Sequence, residues 1–102
     1  MNANQVLHAM RSAEGMCYYV IDFCHENEEL LPGEYKFKDS RMHAIMRGLD
    51  YEYNAVELDN EEDIKRIHEY AKGVFREAAS TLAKLKALSS ACKQEIDYSE
   101  LG

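Results

Sequence analysis

The residues of this 102-residue chain with the greatest capacity for chemistry are four histidines, three cysteines and nineteen carboxylates. Asp22 and His25 stand three apart, and Asp39 and His43 stand four apart. On a helix each pair shares a face, as the metal ligands of helical bundles do. A buried metal pair also needs several inward carboxylates, and the inward positions here hold Met, Cys and Val. Surface histidines are therefore the favoured reading, with a metal site on Asp22, His25, Asp39 and His43 as the alternative. Glu26 and Glu29 form one E-x-x-E pair, a pattern some magnesium-dependent nucleotide hydrolases use. The second acidic pair of such a site is not recognisable. Cys17, Cys24 and Cys92 fall on apolar stripes, where a thiol is inert. Cys17 and Cys24 would lie about 10 Å apart along one helix, too far for a disulfide. No Gly-rich phosphate loop and no Gly-flanked serine elbow is present. The expectation is a protein without catalysis and without a cofactor.

Val6-Leu7-His8-Ala9-Met10-Arg11-Ser12-Ala13 places a base three residues after a histidine, among small neighbours. In this it resembles histidine phosphotransfer domains, which are helical bundles of this size. Ser12 stands where those domains carry Gly, and His8 lies at the start of the chain rather than mid-bundle. The chain is not assigned to that family, and His8 is read as an exposed first-turn histidine.

The elements that would position these groups are helices. From Ile64 the apolar residues Ile67, Ala71, Val74, Ala78, Leu85, Leu88 and Cys92 alternate spacings of three and four, with Thr81 in the one polar slot. That heptad stripe predicts a helix over about 60–97 that packs along another helix. His68, Phe75, Leu82 and Ser89 fall beside the stripe and widen it. Asn60 followed by Glu61, Glu62 and Asp63 is a strong helix start. Met10, Ala13, Cys17, Val20, Cys24 and Leu31 predict a first helix over about 4–31, its face broadened by Leu7, Met16, Ile21 and Phe23, capped by Asn2 or Asn4 and ended by Pro32-Gly33. Met42, Met46, Leu49, Tyr53 and Val56 predict a second over about 40–57, capped by Asp39 or Ser40. Residues 34–38 read as an extended connection that lays Tyr35 and Phe37 across the helices. Alternation over 49–57 leaves open a strand paired with 34–38. The expected fold is all-α, one domain over 1–102, a three-helix antiparallel bundle with one long carboxyl-terminal helix.

A helix of that length would span about 50 Å, while a compact chain of this size has a diameter of only about 26 Å. The overhang calls for a partner, so self-association is expected, as a homodimer through Val74, Ala78, Leu82, Leu85 and Leu88. The net charge of −7 argues against binding a nucleic-acid backbone, and no apolar run is long enough to span a membrane. Residues 1–33 alone carry −4. No secretory signal is visible in Met1 to Arg11, and reduced cysteines suit a cytoplasmic protein. Lys65, Lys72, Lys86 and Lys93 recur at multiples of seven and form a basic rib. The functional expectation is an adaptor, inhibitor or regulator that binds a protein partner through acids and tyrosines: Glu26, Glu28, Glu29, Tyr18, Tyr51 and Tyr53. An acidic mimic of nucleic acid is a further alternative.

Overall fold

The computed structural model describes residues 1–35 and 37–101, with side chains through Ala91. Three helices follow one another, α1 (Ala3–Glu26), α2 (Lys38–Ala55) and α3 (Glu61–Leu101), with a 3-10 turn at Gly33–Tyr35. No strand occurs among the described residues, so 49–57 does not pair with 34–38. The chain runs up, down and up. α1 and α3 are parallel and share the most extensive contact, and α2 lies antiparallel across both.

Local chemistry explains each boundary. Asn2 caps α1 reciprocally with Gln5: the Asn2 side chain accepts from the Gln5 N–H, and the Gln5 side chain accepts from the Asn2 N–H. α1 stops five residues before its expected end, because Asn27 competes for the last carbonyl. Its backbone N–H and its Nδ2 both donate to the Phe23 carbonyl, each at 3.0 Å. Leu31 is still buried, but a turn rather than the helix delivers it. Pro32-Gly33 therefore follows the helix end instead of making it, and no glycine among the described residues has a positive φ. α2 begins after Phe37 without a side-chain cap, and Asp39 instead accepts from the neighbouring Ser40 N–H inside the first turn. Tyr35 packs against the core as expected, whereas Phe37 is 74% exposed. Asn60 accepts from the Glu62 and Asp63 N–H groups, the expected start of α3.

The core is the stripe from each helix. Val6, Met10, Ala13, Cys17, Val20 and Cys24 of α1 meet Met42, Ile45, Met46 and Leu49 of α2 and Ile64, Ile67, Ala71, Val74, Ala78 and Leu85 of α3. At the carboxyl end the buried position passes from Leu88 to Ser89, as a 3.6-residue turn drifts against a seven-residue repeat. Ser89 donates to the Asn27 side chain at 3.3 Å and closes that end. Cys92 lies outside the described side chains.

The molecule is a rod of 64 × 20 × 15 Å, with a radius of gyration of 17.2 Å against about 13 Å for a compact chain of this length. The long helix does exceed a compact body. Yet α1 and its following turn accompany α3 as far as Ser89, so its buried stripe is covered by its own chain over that length. Val74, Ala78 and Leu85 are core residues of a single copy and are not a self-association surface; Leu82 and Leu88 are half-buried against the same core.

Candidate interaction surface

Helix α1 has two long edges, and they differ in kind. The edge toward α2 is polar. Glu14 and Tyr18 of α1 face His43, Arg47 and Asp50 of α2 around a depression of about 210 Å³. Burial raises the Glu14 carboxyl above its ordinary pKa of 4.5, and a hydrogen bond and charge repulsion from Asp50 push it the same way. In the last turn of α1, His25 Nε2 lies 3.8 Å from Asp39 Oδ2. The structure thus joins His25 to Asp39, not to Asp22, and joins His43 to the Glu14–Asp50 pair. Asp22 sits on the opposite edge. No group of three or more His, Cys, Asp or Glu among the described residues is placed to hold a metal ion. The buried thiols are poor nucleophiles. Burial, then the charges of Glu77 and Glu14, push Cys17 up to about 11. Burial and then the Asp39 charge push Cys24 upward, against a hydrogen bond from the Asp39 backbone.

The crevice between α2 and α3 is also partly closed. Arg41 bridges it to Glu77 at 2.9 Å, and Tyr70 reaches Gly48, where an added Cβ would stand 3.2 Å from its hydroxyl.

The edge of α1 toward the outer side of α3 is open and largely apolar. No residue of α2 reaches it. Ala9, Ser12, Met16, Tyr19 and Phe23 follow one another at spacings of three and four, which holds them on one edge of α1. On α3 the matching edge carries His68, Phe75, Ala79 and Leu82, rimmed by Lys72, Arg76 and Lys86. Two depressions lie along this seam. One, of about 240 Å³, is lined by Ala9, Ser12, Lys72, Phe75 and Arg76. The other, of about 280 Å³, is lined by Tyr19, Asp22, Phe23, Glu26, Leu82 and Lys86. Met16, Phe23, Phe75 and Leu82 touch the core with part of their surface and offer the rest to solvent. His68 Nδ1, at the amino end of the α3 edge, is buried with no hydrogen-bond partner among the described residues.

The acids and tyrosines expected to form one docking surface do not converge. Tyr18 lies on the polar α1–α2 edge, Tyr51 points away from the bundle at 74% exposure, and Tyr53 packs against the core. Glu28 and Glu29 are exposed in the turn after α1. The 26–29 acids stand where α1 ends beside Ser89, and the 57–63 acids at the start of α3, so the two clusters lie at opposite ends of the α1–α3 contact and do not form one groove-filling acidic face; the acids of 95–100 lie outside the described side chains. Only Glu26 belongs to the open edge, and there Tyr19 and Asp22 join it. The stripe-widening residues Met16, Phe23, Phe75 and Leu82 carried the signal for this edge: their stripes are wider than two helical neighbours can cover. Comparison of the chain with protein-family models, with curated proteins and with solved structures returns no match.

Proposed function

We propose that this chain is a non-catalytic protein-docking module, an adaptor, inhibitor or regulator whose open α1–α3 edge receives a helix of a protein partner. The supporting observation is a second seam on two parallel helices, at heptad spacing and with no other helix among the described residues against it. A partner helix laid there would bury the free surfaces of Met16, Phe23, Phe75 and Leu82, the helix-in-groove mode of recognition. Tyr19, 65% exposed, would lie at the margin as a large anchor with a polar tip. Basic residues rim one depression and acids the other, which favours a partner carrying both signs.

A photoreactive benzophenone side chain placed at Tyr19, and in a parallel variant at Tyr51, tests this in the native cell. Adducts with protein are expected from position 19 and not from position 51. No adduct at 19, or equal labelling from both, overturns the reading.

A further inference from the structure

We infer that the partner helix carries acidic residues at every seventh position along the flank it turns to α3, and a base where its other flank passes Glu26. This deepens the reading of the open edge as a docking surface and rests on it. The basic rib borders the α3 side of the seam. Lys72 lines one depression and Lys86 the other, two repeats apart. Lys65 stands one repeat before them, Ala79 fills the repeat between, and Lys93 lies outside the described side chains. Positions seven apart keep one place on a helix that follows a seven-residue stripe, so the rib runs along the seam rather than around α3. The α1 side is bordered at the same repeat by Gln5, Ser12, Tyr19 and Glu26, three neutral residues and then an acid.

The two borders are in step. Ser12 and Lys72 line the first depression, Glu26 and Lys86 the second, so both borders advance by two repeats together. A partner helix between them meets cations on one flank and a largely neutral border on the other. Charges beside an apolar seam select partner helices by sign, as e and g positions do in coiled coils. Arg76 joins Lys72 at the first depression, which no acid lines. Among the described residues these two bases reach only Glu69 of their own helix, at 3.6 and 4.0 Å and in the open, so little is lost when they turn. From Lys65 to Lys86 the rib runs about 32 Å, so a partner helix needs three heptads to use it. A second copy fits the rib poorly. Docked antiparallel it lays rib on rib, Lys72 against Lys86, and docked parallel it offers acids only at Asp22 and Glu26. The net charge of −7 gives an acidic partner no help from the molecule as a whole, and physiological salt confines charge effects to about 8 Å. Attraction for acids therefore has to come from the rib.

The probe is a synthetic helical peptide of three heptads. It has Leu and Ala on its apolar stripe, Glu at three successive heptad positions along one flank, and one Lys at the end of the other. A second peptide carries Lys in place of the three Glu. Binding to the full chain is read by fluorescence anisotropy at physiological salt. The Glu peptide should bind, and the Lys peptide about tenfold or more weakly, the scale of three exposed pairs acting together and opposite to what the net charge favours. Lys65→Glu with Lys72→Glu and Lys86→Glu should invert that preference. The milder Lys65→Gln with Lys72→Gln and Lys86→Gln, which adds no like charges to α3, should erase it. All three side chains are exposed, so the Gln variant should keep the circular-dichroism melt of the parent. Equal Kd values for the two peptides on the parent, a tighter Lys peptide, or binding of neither overturns the inference. A parent that sediments near twice 11.8 kDa and excludes both peptides makes a second copy the occupant and overturns it as well. In each of these cases the docking surface itself still stands if position 19 labels another protein.

Discussion

The two edges of α1 show how one helix finishes one side and leaves the other. Toward α2, polar side chains meet across the gap: Glu14 with Asp50, His25 with Asp39. Toward the outer side of α3, Met16 and Phe23 lie beside Phe75 and Leu82 with nothing across them. The same helix repeat supplies both edges. What separates them is α2, an 18-residue helix that covers one side of the α1–α3 pair and cannot reach the other. An apolar stripe wider than its intramolecular partners marks a surface that is unfinished within the chain.

Breaking the centre should have the largest effect. Leu85→Asp buries an unpaired carboxylate at a fully buried site and should cost about 4 kcal/mol or more, abolishing the cooperative melt. Tyr19→Asp on the open edge should stay within about 0.5 kcal/mol of the parent by denaturant unfolding. Adjacent alanines draw the contrast more finely. Ala78 is fully buried and Ala79 is not. Ala78→Leu should lose about 1–3 kcal/mol from overpacking, while Ala79→Leu should change monomer stability by less than about 0.5 kcal/mol. Equal losses at the two positions would mean that the open edge is filled.

The unpartnered His68 Nδ1 offers a gain. His68→Leu removes a buried polar atom from an apolar edge and should raise stability by up to about 1 kcal/mol in urea unfolding. A clear loss would show that Nδ1 has a partner.

The smallest effect belongs to the polar edge. Folding holds the Glu14 proton above its ordinary pKa of 4.5, so the folded state binds more protons than the unfolded one just above that value. Stability then falls as pH rises through the raised pKa. Glu14→Gln removes this dependence and should melt higher than the parent at neutral pH, with the difference shrinking as pH falls through the raised pKa toward 4.5. A difference that grows on acidification would reverse the assignment.

Much of this was written in the spacing. Residues 64, 67, 71, 74, 78 and 85 announced the buried face of α3, and 10, 13, 17, 20 and 24 that of α1, because helical burial follows position number directly. The ends were less legible. Asn27 stops α1 by turning its amide onto the Phe23 carbonyl, a local contest that apolar periodicity does not register. The length of α3 suggested an unpaired rod, yet α1 proved long enough to run beside it to Ser89. The site was least legible. Tyr18, Tyr51 and Tyr53 share a residue type and not a surface, since orientation about a helix axis depends on where its neighbours sit. Met16, Phe23, Phe75 and Leu82 were visible as a widening of the stripes, and only the position of α2 shows which side they leave bare.

The most direct test follows side-chain methyl and backbone amide resonances of the full chain as a soluble paramagnetic probe is added. Signals from Met16, Ala79 and Leu82 on the open edge should broaden together, while those of the buried Val20, Ala78 and Leu85 stay sharp. Protection of Met16, Ala79 and Leu82 equal to that of the core would contradict the account.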